Sequence, residues 1–248
     1  MKEVFVSEIF KSFQGEGPQV GKPTLFVRFF ACNLNCGFCD SKYSNTIKDA
    51  KEKGIEVKKF TFNELNDTIY KMMESDLNMN ICFTGGEPML QLDFLRQFQT
   101  STKFGGIVEI ETNGTINMKY MPNTFHLNIS PKLTNSINDV TTEYFAKLVK
   151  NIVDISKTDR QICLKFVVAT DDSFERDILE VQTFLNYINV NHQYWKKEIP
   201  IFLMPMGTDV KTIIGGIHRL SFESEFIKFP FTISPRLHVL VYGNKIGV

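Results

Sequence analysis

Seven short apolar runs, each dense in β-branched and aromatic residues, divide the chain: TLFVRFFA (24–31), NICFTGG (80–86), GIVEIETNG (106–114), FHLNIS (125–130), QICLKFVVAT (161–170), IPIFLMPMG (199–207) and RLHVLVYG (236–243). Runs of this length and composition read as strands. Segments of helical period separate them. In TFNELNDTIYKMME, Thr61 and Glu64 form a capping box, and Phe62, Leu65, Ile69 and Met72 recur on one helix face. Those four are expected in the core, not at a ligand. Further helices are expected over 89–101, 141–155, 173–190 and 208–221. Strands and helices in regular alternation specify an α/β fold on a mostly parallel sheet, and about six such units fit the length. A chain of 248 residues with 43% hydrophobic content buries a sizeable core unaided, so one domain over 1–248 is the simplest organisation. The one compositional shift, SKYSNTIKDAKEKGIEVKKF (41–60), is rich in lysine and poor in large apolar side chains. It reads as a solvated insertion at about 42–60.

Parallel β/α folds place their chemistry at the carboxyl ends of the strands. Here the run ending at Ala31 leads straight into CNLNCGFC, which sets Cys32, Cys36 and Cys39 on one short loop. Three thiolates so placed can each take one iron of a cubane cluster and leave the fourth iron open to a small molecule. Structural zinc is the competing reading. It needs a fourth ligand, and none of His126, His192, His218 or His238 lies close enough in sequence to complete a local knuckle. The two remaining cysteines, Cys82 and Cys163, fall within strands and read as small buried hydrophobes. Five cysteines with three crowded together do not make a disulfide framework. Lysine plus arginine and aspartate plus glutamate both number 28, a balance that offers no general field for nucleic acid or an anionic membrane. No apolar run reaches the roughly 18 residues of a membrane span, and MKEVFVSEIF lacks the apolar stretch of a signal peptide. The expected compartment is the reducing cytoplasm, where free thiolates survive to bind metal.

The spacing C-x-x-x-C-x-x-C resembles the signature of the radical S-adenosylmethionine enzymes. That resemblance implies an incomplete (β/α)6-type barrel, a truncated TIM-like core. It also implies a 4Fe-4S cluster on Cys32, Cys36 and Cys39, with S-adenosylmethionine chelated at the open iron and cleaved to a 5′-deoxyadenosyl radical. Phe38 matches the aromatic residue expected near the adenine, or else packs beneath the loop. FTGGEP (83–88) matches a second family motif, its paired glycines allowing close backbone approach to a ligand; it implicates Gly86 at the cofactor and Thr84 at the substrate. Ser130, Pro131 and Lys132 of ISPK match as cofactor-binding residues. Glu111 and Asn113 of ETNGT either join the same mouth or are turn residues, since Asn-Gly is itself a turn signal.

A narrower likeness lies at the two ends. FQGEG (13–17), FVRFFAC (26–32) and RLHVLVYGNKIGV (236–248) resemble the branch of that family whose members make 7-carboxy-7-deazaguanine in queuosine biosynthesis, a tRNA modification pathway. It implies that 6-carboxy-5,6,7,8-tetrahydropterin loses a hydrogen from C6, contracts its ring and releases ammonia. A pterin offers an amide-like edge and a carboxylate. Phe13, Gln14 and Gly15 would read the edge, Glu16 would accept from its donors, and Arg28 would supply a planar fork for the carboxylate. Gln14, Gly15 and Glu16 read otherwise as an exposed loop, and Arg28 otherwise as half of a buried ion pair. His238 and the terminal carboxylate of Val248 match a tail that folds onto the substrate. Ser41 stands where many members carry a threonine that holds Mg2+, and it keeps the oxygen a hard cation prefers. Asp40 is implied at the cofactor, or caps the loop. A flavodoxin or ferredoxin-type reductant and a homodimer are expected on the same grounds. A glycyl-radical activase would share the cysteine and GGEP motifs, but not QGEG or the terminal tail.

Overall fold

The computed structural model describes residues 3–73, 76–98, 104–136, 140–190, 198–243 and 245–247. Strands β1 (Val4–Phe13) and β2 (Pro23–Phe29) form an antiparallel hairpin that sets Glu8 opposite Arg28. Helix α1 (Ile47–Glu52) and the short strand β3 (Lys58–Phe60) follow, β3 lying antiparallel to β1 at the sheet edge. Then come α2 (Phe62–Met73), β4 (Asn80–Gly85), α3 (Leu92–Gln97), β5 (Val108–Thr112) and β6 (His126–Ile129). The chain continues through α4 (Thr142–Ser156), β7 (Ile162–Val168), α5 (Phe174–Val190), β8 (Ile201–Pro205), α6 (Val210–Phe222), β9 (Thr232–Ile233) and α7 (Leu237–Tyr242). Among the described residues the sheet order is β3-β1-β2-β4-β5-β6-β7-β8-β9, with every pairing from β2 to β9 parallel. Six parallel strands of at least four residues, β2 and β4 to β8, thus make an incomplete barrel left open at both edges.

Alternation along these strands decides where the core and the site lie, because successive side chains face opposite sides of a sheet. Leu25, Val27, Phe29, Ile81, Phe83, Val108, Ile110, Leu127, Ile129, Leu164, Phe166, Val168 and Leu203 all join one buried apolar cluster with side chains of the helices. Phe83 sits at its centre, with ring centroids 5.7 Å from Phe29, 5.9 Å from Phe94 and 5.0 Å from Phe98. Each such side chain contributes about 1.5–3 kcal/mol by leaving water. The other face of the same strands is polar: Arg28, Cys82, Thr84, Glu109, Glu111, Asn128, Ser130, Cys163 and Lys165 point into the barrel.

Most of the expected elements form. The capping box of α2 closes in both directions, Thr61 N donating to Glu64 Oε2 at 2.7 Å and Glu64 N to Thr61 Oγ1 at 3.3 Å. Leu65 and Ile69 are fully buried with Met73, while Phe62 and Met72 pack at the margin of the core. Residues 99–101 of the helix expected over 89–101 lie outside the described residues. Between β5 and β6 no helix forms; Met118, Met121 and Phe125 fill its place, and Arg160 donates to the carbonyls of Met118 and Met121.

One expectation is overturned. RLHVLVYG, expected as a strand over 236–243, is the helix α7, and the two-residue β9 takes the place beside β8 instead. A short apolar run has no period that separates strand from buried helix. The lysine-rich segment expected as a solvated insertion is ordered into α1 and β3, with Tyr43, Ser44 and Ala50 buried beneath it. No helix among the described residues is long and apolar enough to cross a membrane.

Candidate active site

The carboxyl ends of the parallel strands open onto one cleft of about 460 Å³. The cysteine loop forms its rim, and a backbone device sets that loop. Ala31 takes a left-handed φ of 78°, its N–H donates to the Ser44 carbonyl at 2.7 Å, and its own carbonyl accepts from Glu87 N at 2.8 Å. A Cβ on Gly86 would stand 2.0 Å from that carbonyl oxygen, so the second glycine of GGEP is there to let the cysteine loop approach. Glu87, buried behind it, accepts from Met89 N, Thr112 Oγ1 and Asn113 N and so joins the ends of β4 and β5. Asn113 Nδ2 in turn donates to Asn33 Oδ1 at 2.9 Å, and Asn33 Nδ2 to Thr115 Oγ1 at 2.8 Å. Asn113 therefore braces the cysteine loop from the neighbouring strand.

Cys32, Cys36 and Cys39 are free thiols, and all three line the cleft. Burial pushes the Cys32 thiol up to about 11 and raises that of Cys36, so a bound metal must supply the charge that keeps them as thiolates. Leu34 N lies 3.4 Å from Cys32 Sγ, and Asn45 Nδ2 lies 3.9 Å from Cys39 Sγ. N–H groups aimed at sulfur suit an iron–sulfur site. Phe38, Asp40, Ser41, Ser130 and Lys132 line the same cleft. Lys132 Nζ donates to Ser130 Oγ at 3.1 Å, with Pro131 buried between them.

Opposite the cysteines, FQGEG turns in after β1. Its side chains are not an exposed loop. Gln14 is 2% exposed; its Nε2 donates to Glu109 Oε2 at 2.7 Å and Glu111 Oε1 at 3.2 Å, and its Oε1 accepts from Glu16 N at 3.2 Å. Both amide hydrogens of Gln14 are thus spent on the protein, and its backbone N–H and carbonyl are paired with Lys22 and Gly21. Thr84 Oγ1 donates to Glu111 Oε2 at 2.8 Å. Gly15 packs on the tail: a Cβ there would meet His238 Nδ1 at 2.0 Å, and its carbonyl accepts from Leu237 N at 2.9 Å. Phe13 stacks on Tyr242 of α7 with ring centroids 5.3 Å apart. Val248 lies outside the described residues.

Two cations that the sequence reading passed over complete this side. Lys165 Nζ pairs with Glu16 Oε2. Arg236, at a left-handed φ of 51° before α7, reaches Glu16 Oε1 at 3.3 Å and also binds Asp40 Oδ2 and the Gly207 carbonyl. His238 Nε2 lies 4.0 Å from Glu16 Oε1. Burial alone would raise the Glu16 pKa; attraction from Lys165, Arg236 and His238 outweighs it and holds the carboxyl well below the usual range. Burial lowers the pKa of His238, so its imidazole tends to the neutral form. The signal for Lys165 was present in ICLKFVV, where alternation sets it on the face of Cys163 and Val167. Arg28 donates from Nε to Glu8 Oε2 at 2.9 Å, and Tyr43 OH donates to the same oxygen at 2.8 Å. The ion pair that sequence left as an alternative therefore exists, and Arg28 also lines the cleft.

Residues 26–180 match the sequence profile of the radical SAM superfamily, and the chain belongs to that superfamily. It is 30% identical to the 7-carboxy-7-deazaguanine synthase of Hyperthermus butylicus across 95% of this chain and 92% of that relative, and 29% identical to that of Thermoplasma acidophilum across 99% and 100%. Within the superfamily, it falls in the 7-carboxy-7-deazaguanine synthase family. The crystal structure of QueE from Escherichia coli shares its fold, with a TM-score of 0.58 and 18% identity over 93% of this chain and 92% of that one.

Proposed function

We propose that the chain contracts the ring of 6-carboxy-5,6,7,8-tetrahydropterin to give 7-carboxy-7-deazaguanine and ammonia. The observation that carries this reading is the convergence of three thiols, the FQGEG turn, Arg28, Thr84, Glu111, Lys165 and His238 on a single cleft. The superfamily implies a 4Fe-4S cluster and S-adenosylmethionine. When bound they supply the 5′-deoxyadenosyl radical that takes hydrogen from C6 of the pterin. Cys32, Cys36 and Cys39 are the cluster ligands in this reading, with Phe38, Asp40, Gly86, Ser130, Pro131 and Lys132 around the cofactor.

The remaining residues hold the pterin. Glu16 and Glu111 present carboxylate oxygens to its donors, and Phe13, Gln14 and Gly15 lie along its amide-like edge. The outer nitrogens of Arg28 take its carboxylate. Fixing the reacting carbon beside the radical source is the protein's main contribution to rate. α7, through its buried Val239, and the FQGEG turn then close the cleft against water. For Mg2+, Ser41 Oγ lies 3.9 Å from Cys39 Sγ, and Asn45, whose Nδ2 faces the same sulfur, has a buried Oδ1 with no hydrogen-bond partner. A hydroxyl oxygen suits a hard cation whose other ligands are water and the substrate carboxylate. A flavodoxin or ferredoxin-type reductant, a second copy of the chain and a cytoplasmic setting complete the reading. The free thiols and the exposed Ile214 and Phe222 of α6 support the last two.

The test is turnover. Protein reconstituted anaerobically with iron and sulfide, given reductant, S-adenosylmethionine, Mg2+ and the carboxy-tetrahydropterin, is expected to release 7-carboxy-7-deazaguanine. Cleavage of S-adenosylmethionine with no deazaguanine formed would point to a different radical enzyme.

A further inference from the structure

Glu109 lies beneath the residues assigned to the pterin and has no place in that assignment. Alternation along β5 sends it to the inner face with Glu111, while Ile110 turns to the core. It is 2% exposed, one layer deeper than Glu111, and a single amide joins the two carboxyl groups through Gln14 Nε2. Oxygens of Glu109 and Glu111 and the Cys82 sulfur all lie within 4.8 Å of one another. The hydrogens of Gln14 point into that group, so it is a donor's pocket rather than a cation's.

Two carboxylates this close and this deep cannot both stay charged without a cation between them. The nearby cations each pair with another carboxylate, Lys165 with Glu16, Arg28 with Glu8, and Arg236 with Glu16 and Asp40, so the attraction of Lys165 offsets the burial of Glu109 only in part. The groups that face Glu109 are Cys82 on β4, Glu111 on β5, His126 and Asn128 on β6, Cys163 and Lys165 on β7, and Gln14 from the turn after β1. We propose that Glu109 is a neutral carboxylic acid beside Glu111, and that it acts as a positioning residue for the pterin edge. It leaves Glu111 as the anion facing the cleft. It also fixes the Gln14 amide so that its oxygen receives Glu16 N and holds the FQGEG turn. This inference rests on the pterin reading above. Burial, and then repulsion from Glu111, push the Glu109 pKa up to about 8, in keeping with the geometry.

The experiment has two readouts. The first needs no turnover: an infrared difference spectrum of wild-type holoenzyme against E109Q near neutral pH, where the wild type is expected to show a carboxylic-acid carbonyl band that E109Q lacks. In the wild type that band should fade as pH rises through about 8. In E111Q, with the neighbouring charge gone, it should fade at lower pH, and this comparison decides the matter if E109Q does not fold. The second is the pH profile of kcat/KM for deazaguanine formation. Glutamine can accept from Gln14 and carries no charge, as the protonated acid does, so E109Q is expected to stay within about threefold of wild type near neutral pH and to lose the fall above it. E109A, which leaves the Gln14 amide unpartnered, is expected to drop roughly tenfold to a hundredfold. No band difference, or an alkaline fall that persists in E109Q, overturns the inference. A holoenzyme that forms no deazaguanine at any pH refutes the pterin reading instead, while the infrared result still reports the proton.

Discussion

Replacing Cys36 with alanine is expected to abolish reductive cleavage of S-adenosylmethionine and to lower reconstituted iron from about four atoms per chain. The size of the effect follows from the count of ligands. Three thiols line the cleft, and the other two cysteines, Cys82 and Cys163, are buried in strands on the barrel's inner face. Among the described residues no further cysteine stands at the rim to replace a lost one. Cys32→Ala and Cys39→Ala should behave alike, and Ser41→Ala should not: it is expected to retain the full iron content, since its oxygen is assigned to Mg2+. Iron and acid-labile sulfide analysis, with 5′-deoxyadenosine counted after dithionite reduction, checks all four variants. Undiminished cleavage in any one of the cysteine variants would remove the cluster assignment.

Glu16→Ala is the substitution expected to cost most in stability. It strips the shared carboxylate from Lys165 and Arg236, whose side chains are 6% and 7% exposed. Removing one partner of a buried ion pair costs about 3–5 kcal/mol, because the surviving charge is left without compensation. For a chain of this size the corresponding fall in Tm is about 6–20 °C. The pH dependence has a definite sign. The folded pKa of Glu16 is depressed, so its contribution is present above the ordinary carboxylate range and is lost as pH falls through the lower folded value. For Lys165, burial alone would lower the pKa, but attraction from Glu16 and Glu111 raises it. Its contribution is therefore present below the ordinary lysine range and is lost as pH rises through the higher folded value. Calorimetry from acid to neutral pH should find wild type gaining on Glu16→Ala as pH rises through that interval. Equal stability at neutral pH would mean that the two cations find other partners.

The same cations show where sequence reading reached and where it stopped. Local pattern was enough for the parallel strands, for the capping box at Thr61 and for the cysteine loop, because each depends on residues within a few positions of one another. The partnerships inside the barrel do not. Gln14 meets Glu109 across 95 positions and Arg236 meets Glu16 across 220, and no spacing rule links residues so far apart. Lys165 could have been placed on the inner face by alternation, but its partner could not. Arg28 was left between two readings since an arginine in an apolar strand fits both, and the choice turned on Glu8 in β1, a strand absent from the sequence reading. The edge strands β3 and β9 are three and two residues long, too short to leave a period. Misreading α7 has the same root, for LHVLVY has the composition of a strand and is too short to show a helical period.

Carboxy-tetrahydropterin labelled with deuterium at C6 tests the central claim most directly, namely that this cleft holds a pterin with C6 toward the 5′ carbon of S-adenosylmethionine bound to a three-cysteine cluster. The account predicts deazaguanine as product, with the label recovered on the 5′ carbon of the adenosyl group. Deazaguanine formed while no deuterium reaches that carbon would contradict it.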